Sequence, residues 1–252
     1  MVILKDLVEY TNTLLGIDGF RDYCPNGLQV EGCQEVRRLV SGVTASMALI
    51  EAAVEAGADA LLVHHGYFWK GEDPCITGMK QRRLRRLLGE QISLLAYHLP
   101  LDAHSRLGNN TQLARVLDLE PEGSFGSEPD LQLGQYGRLS PALDGPALAA
   151  HIEQRLGRVP LHIPGAAERI ETVGWCTGAA QSWIEAAAAR GLDAFISGEI
   201  SEQTVHVARE TGIHYFAAGH HATERYGVQA LGEHLAEQFA VTHEFVDVEN
   251  PV

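Results

Sequence analysis

The sequence predicts an α/β protein built from two similar lobes related by an internal pseudo-twofold, residues 1–124 forming the first and residues 125–252 the second. Three observations carry this. Short apolar runs such as Ala60 to Val63, Ile92 to Tyr97 and Ala194 to Ile196 are continuous rather than alternating, as in strands buried on both faces. Segments of helical period separate them, the pattern of strand–helix–strand units. The pattern also repeats: Ile50-Glu51-Ala52-Ala53 recurs as Ile184-Glu185-Ala186-Ala187, which aligns Gly57 with Gly191, Asp59 with Asp193 and Ala60 with Ala194.

Taken in order, Leu4, Leu7, Val8, Thr11 and Leu14 fall at helical spacing and predict an amphipathic helix over 4–15. The stretch DYCPNGLQVEG at 22–32 holds a Pro-Asn-Gly turn. A strand is expected over Leu39 to Val43, then a helix from Ser46 to Ala56 ended by Gly57. The buried strand Ala60 to Val63 runs into His64-His65-Gly66 and the aromatic run Tyr67-Phe68-Trp69, whose rings suit either packing on the core or stacking on a base. Met79 to Leu88 is a basic helix. Its Lys80, Arg82, Arg83, Arg85 and Arg86 read first as a solvated face, with phosphate or partner binding as the alternative. The strand Ile92 to Tyr97 ends in His98-Leu99-Pro100-Leu101-Asp102, and a helix over Thr111 to Leu117 follows, capped by Asn109 or Asn110.

Glu120 to Gly137, rich in Gly, Pro, Ser and acid, is expected to be an exposed connection. Beyond it, Gly145-Pro146 opens a helix to Leu156, and strands are expected over Pro160 to Ile163 and Ile170 to Trp175. Ser182 and Glu185 have capping-box spacing at the head of an alanine-rich helix closed by Gly191. After the strand Ala194 to Ile196 come a helix over Thr204 to Glu210 and a strand over Ile213 to Ala218, which leads into His220-His221-Ala222-Thr223-Glu224. A helix from Tyr226 to Phe239 and a strand over Val241 to Val248, which could pack back on the first lobe, complete the pattern.

The 252 residues are 45% hydrophobic and 21% charged, enough for a packed core and unlike a disordered chain. A net charge of -14 disfavours nucleic-acid binding, while leaving a nucleotide substrate open if a bound cation carries the local positive charge. Four scattered cysteines without C-x-x-C, and no long apolar run at Met1 to Gly16 or elsewhere, are the marks of a cytoplasmic protein away from membranes. The motifs of P-loop, dinucleotide, zincin, nucleophile-elbow and deaminase sites are absent.

What remains is a metal chemistry. In open α/β sheets ligands gather beyond the carboxyl ends of strands, and His64, His65, Asp102, His220 and Glu224 all follow expected strands. Imidazole and carboxylate without thiolate suit two divalent ions among Zn, Fe, Mn, Co and Ni, with a carboxylate bridging them. Two ions about 3.5–4 Å apart acidify a shared water into a hydroxide nucleophile. His98 and Glu224 are the candidate catalytic proton carriers, His98 reading equally as a hydrogen-bonded strand-end histidine.

At these residues the chain resembles the GTP cyclohydrolase 1 type 2 homologue family, also called Nif-three-like, and within it the YbgI-like bacterial branch. The matching stretches are DYCPNGLQVEG at 22–32, GVTAS at 42–46, GADALLVHHGYFWKG at 57–71, YHLPLDAH at 97–104, GNN at 108–110, SGEISEQTVHVARE at 197–210 and AAGHHATERYG at 217–227. The resemblance implies a di-metal site in the cleft between the lobes: His64 and His220 on one ion, His65 and Asp102 on the other, Glu224 bridging. It implies a toroidal homohexamer, a trimer of dimers, and hydrolysis of GTP or another purine nucleotide, damaged ones included. The alternative is a non-enzymatic metal-binding oligomer that binds a protein or nucleic-acid partner.

Overall fold

The computed structural model describes residues 1–126 and 132–252. Two compact units are present, Met1–Gly108 with Gly227–Glu249 and Asn109–Tyr226 with Asn250–Val252. The opening segment of the first unit ends at Gly108. The cause is packing: Leu113 and Ala114 of the helix Asn109–Val116, and Leu117 just past its end, bury in one cluster with Leu148, Ile152 and Trp175.

In the first unit five strands run in the order Thr242–Phe245, Arg38–Thr44, Ala60–His65, Ser93–Ala96 and Gly27–Val30. The first four are parallel and the last is antiparallel. Period two decides what each side chain meets. Ala60 and Leu62 pack with Leu4 and Leu7 of the helix Leu4–Leu15 and with Val228, Leu231 and Leu235. Leu61 and Val63 pack with Leu49 and Ile50 of the helix Met47–Glu55 and with Leu84 and Leu87 of the helix Gly78–Gly89. All four strand residues are 0% exposed, and each large one stabilises the fold by about 1.5–3 kcal/mol. This burial on both faces is why the strand reads as an unbroken apolar run.

In the second unit six strands run in the order Leu119–Phe125, Gly134–Leu143, Ile170–Cys176, Ala194–Ser197, His214–Ala217 and Leu161–Ile163. The three strands Ile170–Cys176, Ala194–Ser197 and His214–Ala217 are parallel, and the edge strand Leu161–Ile163 is antiparallel to its neighbour. The same sequence of parallel strands with an antiparallel edge occurs in the first sheet. The aligned aspartates explain part of the likeness. Asp59 Oδ2 accepts the backbone N–H groups of Arg37 and Arg38 at 2.7 and 2.9 Å. Asp193 Oδ2 accepts those of Glu171 and Thr172 at 3.0 and 2.9 Å, plus the Thr172 hydroxyl at 2.9 Å. Each carboxylate ties down the start of the adjacent parallel strand.

Three local expectations are corrected. Glu120 to Gly137 is not merely a connection: its described ends form the antiparallel pair Leu119–Phe125 and Gly134–Leu143, bulged between Pro121 and Gly123. The glycines there serve strand packing, since a Cβ on Gly137 would sit 1.9 Å from the Glu120 carbonyl oxygen. Residues 127–131 of that expected connection lie outside the described residues. Ser182 and Glu185 form no capping box, because a 3-10 turn over Gln181–Trp183 intervenes and the helix Ile184–Ala189 starts after Trp183. A capping box does form at Ser201 and Thr204 ahead of the helix Glu202–Thr211. Finally, the closing helix starts at His220 and runs to Phe239. Gly219, at φ +101°, turns the chain straight from strand into helix, and the Thr223 N–H already bonds the Gly219 carbonyl at 3.0 Å.

Asp193→Ala removes the acceptor of the exposed Glu171 N–H and of the half-buried Thr172 N–H and hydroxyl, and should destabilise the protein by about 0.5–1.5 kcal/mol, read as a lower urea midpoint with an unchanged m value.

Candidate metal centre

His64 and His65 close the strand Ala60–His65. Strict alternation sends their side chains to opposite faces of the sheet, yet at the strand end their ring centroids lie 4.5 Å apart. His98 follows the strand Ser93–Ala96 by two residues, its ring 5.1 Å from that of His64 and 5.8 Å from that of His65. Ligand atoms of these three histidines lie within 4.8 Å of one another. Asp102, 7% exposed, sits in the short helix Leu99–Ala103, with Oδ1 3.5 Å from His64 Nε2.

Each imidazole is tethered through Nδ1. The fully buried His64 donates from Nδ1 to the Tyr97 carbonyl at 2.9 Å. His65 Nδ1 meets Thr44 Oγ1 at 3.1 Å, and His98 Nδ1 donates to Asp22 Oδ1 at 2.7 Å. An acceptor that is a carbonyl or carboxylate forces the proton onto Nδ1 and leaves Nε2 as the lone-pair nitrogen. Such outer contacts characterise metal-ligating histidines.

Asp22 and Asn26 are the residues that sequence reasoning read only as part of a turn. Asp22 Oδ2 also accepts from Leu99 N at 2.9 Å and from Asn26 Nδ2 at 2.8 Å, while Asn26 Oδ1 accepts the His98 N–H at 2.7 Å. Burial pushes the Asp22 carboxyl up, but the bonds from His98, Asn26 and Tyr23 outweigh it and hold its pKa below the usual value. Cys24 also lies near Asp22 and His98, but burial and the Asp22 charge push its thiol up to about 12. It stays protonated and is a poor ligand at neutral pH.

In the second unit His220 and Glu224 stand one helical turn apart, Nε2 to Oε2 3.1 Å. His220 Nδ1 donates to Glu199 Oε1 at 2.7 Å, with Glu199 two residues beyond the strand Ala194–Ser197. Glu199 also escaped the sequence reading, although it lies in the SGEIS stretch. A Cβ on Gly178 would lie 2.1 Å from Glu224 Oε1 and 3.1 Å from His220 Nε2, so only glycine leaves this carboxylate its room. Burial disfavours the charged His220 imidazole, but Glu224 and Glu199 outweigh burial and push it up to about 9.

Most of the other histidines have partners of their own. His104 Nδ1 accepts from Arg106 and Leu107 N–H groups, His162 bonds His214, His234 bonds Tyr10 and His243 bonds Ser41. His151 Nε2 faces the Leu117 carbonyl, and His206 is exposed. His221 is buried, its N–H on the Val252 carbonyl.

Nitrogen and oxygen donors, oriented and mostly buried, are a donor set that could hold a borderline divalent cation. Strand-end imidazoles and carboxylates on parallel sheets thus define an α/β protein with a candidate metal centre. The chain belongs to the Duf34/NIF3 (NGG1p interacting factor 3) family, whose model matches residues 2–251. It is 59% identical over 96% of both chains to a Vibrio cholerae protein called GTP cyclohydrolase 1 type 2 homolog, and 56% identical over 99% of both to one of that name from Pseudomonas aeruginosa. Among solved structures it is similar to protein ybgI, described as of unknown function, with TM-score 0.96 and 51% identity over all of both chains. A protein from Thermus thermophilus gives TM-score 0.90 and 34% identity, again over all of both chains.

Two outcomes are expected. His220 has a raised folded pKa, so in metal-free protein its contribution to stability is full below the unfolded value of 6.5 and is lost as pH rises through about 9. The melting temperature of metal-free protein should fall across that window, and Glu199→Gln should shrink the fall. Gly178→Ala, which drives a methyl into Glu224, should weaken metal retention at least ~tenfold, measured by equilibrium dialysis and elemental analysis.

Proposed function

We propose that this chain is a dinuclear metal-dependent hydrolase acting on GTP or another purine nucleotide, damaged ones included. The observation that carries the reading is that four imidazoles, His64, His65, His98 and His220, are each held through Nδ1, and that the carbonyl on His64 and the carboxylate on His98 leave Nε2 of those two rings as the ligating or proton-accepting atom. His64, His65, Asp102, His220 and Glu224 are the residues that would hold two divalent cations, drawn from Zn, Fe, Mn, Co and Ni. When bound, the two cations supply Lewis acidity toward the substrate atom under attack and toward water.

The chain's own residues do the rest. Asp22 fixes the His98 tautomer, so His98 Nε2 accepts the proton of the attacking water and returns it to the ring nitrogen released when the purine five-membered ring opens. Glu224 is the second proton carrier. Trp69 stands edge-on to His98 at 5.0 Å, with its indole N–H on the Gly66 carbonyl. Its flat surface suits stacking on a purine. Support for a nucleotide comes from the relatives' name, GTP cyclohydrolase 1 type 2 homolog. A toroidal homohexamer in the cytoplasm is the proposed state. No helix among the described residues is long and apolar enough to cross a membrane.

A second reading, a metal-bound oligomer that docks a protein partner, draws on the family description as an NGG1p interacting factor. The two separate in one experiment. Protein reconstituted with each cation should release formate from GTP, or carbonate from a purine nucleotide already oxidised at C8, and His98→Gln should cut kcat ~10²–10⁴-fold while retaining metal. Intact nucleotides with every cation would sink the hydrolase and leave the docking module.

A further inference from the structure

The basic helix Gly78–Gly89 carries five cations over Lys80 to Arg86 and no acid, in a chain of net charge -14. Two of these charges, Lys80 and Arg86, have carboxylate partners within the first unit. Lys80 Nζ lies 3.1 Å from Glu72 and 4.8 Å from the Phe68 ring centre. Arg86 grips Glu51 of the helix Met47–Glu55 as a fork, with Nε and Nη2 at 3.1 and 3.0 Å, and also bonds Glu90. Arg82 and Arg85 are exposed and make no hydrogen bond or ion pair among the described residues.

These residues surround one hollow. Arg82, Arg85, Arg86 and Gly89, spaced i, i+3, i+4 and i+7, line a single helix face. Met47 at the head of the neighbouring helix forms the apolar wall, and Glu90 closes the rim. The volume is about 380 Å³, at the lower end of what small-molecule sites occupy. Both nearby carboxylates, Glu51 and Glu90, are engaged by Arg86, which is thereby braced as a rigid donor. Two further guanidiniums then face the space with no anion of their own. Guanidinium forks match phosphate oxygens in pairs.

We propose that this hollow is a binding site for a small molecule bearing a phosphate or diphosphate group, held by Arg82 and Arg85 with Met47 against its less polar body. The site shares no residue with the candidate metal centre. Its small size and apolar wall favour a compact ligand over a nucleic-acid backbone, which would need an extended basic track.

The chain has three methionines, Met1, Met47 and Met79, so Met47 is a built-in reporter. Protein labelled with ¹³C at the methionine methyls is titrated with pyrophosphate and with ADP at near-physiological salt, the Met47 signal being assigned by Met47→Leu. The Met47 resonance should shift saturably while Met1 stays still. Arg82→Gln/Arg85→Gln should raise the Kd at least ~tenfold, whereas Arg37→Gln/Arg38→Gln, which removes equal charge elsewhere, should leave it unchanged. A Met47 signal unmoved at ~10 mM probe, where millimolar binding would saturate, overturns the proposal. So does a shift of equal affinity in both double variants. A shift with ADP but not pyrophosphate also overturns it, because phosphate capture would then not be the source of binding.

Discussion

An imidazole has two nitrogens, and a metal or a proton can use only one that is bare and aimed. The organisation of the candidate centre depends on how each histidine's other nitrogen is occupied. Tyr97 holds His64 by a backbone carbonyl, Asp22 holds His98 and Glu199 holds His220 by carboxylates, and Thr44 holds His65 by a hydroxyl. These four partners are unlike in chemistry and far apart in sequence. All four engage Nδ1, and at His64 and His98 the acceptor there leaves Nε2 as the lone-pair nitrogen.

Those tethers require strand ends held in fixed register. The parallel strands meet this by burial on both faces and by the two aspartates, Asp59 and Asp193, which bind the first N–H groups of the neighbouring strand. With the starts of the strands fixed, their carboxyl ends deliver His64, His65 and His98 together in one unit. In the other, Gly219 brings the helix His220–Phe239 close behind the strand His214–Ala217, so His220 and Glu224 share a helical face. The glycines at 178 and 219 are as much a part of the chemistry as the ligands: a side chain at 178 would take the space of the Glu224 carboxylate, and one at 219 would meet Arg158 and strain the φ +101° turn into the helix.

Much of this was legible in the one-dimensional pattern. The continuous run Ala60 to Val63 identified a buried strand, because residues shielded on both faces must all be apolar. His64-His65 and His220-x-x-x-Glu224 stood out because imidazole and carboxylate at strand ends are chemically conspicuous. The same reasoning failed where composition misleads. Glycine and proline over Glu120 to Gly137 resembled a loop, but the described ends pair as strands, and the glycines there relieve close backbone approach. Ser182 and Glu185 had capping spacing, but one 3-10 turn displaced the helix start.

The sequence by itself determined most of the strands and helices, and which side chains are capable of holding a cation, since periodicity and functional-group chemistry are local properties. Only the tertiary structure decided which nitrogen each histidine offers, that Asp22, Asn26 and Glu199 do the orienting, and that Arg86 is matched while Arg82 and Arg85 are not. Hydrogen bonds and ion pairs depend on distances of a few ångströms between residues remote in the chain. Those distances exist only once the sheets have formed and their ends have been brought into register.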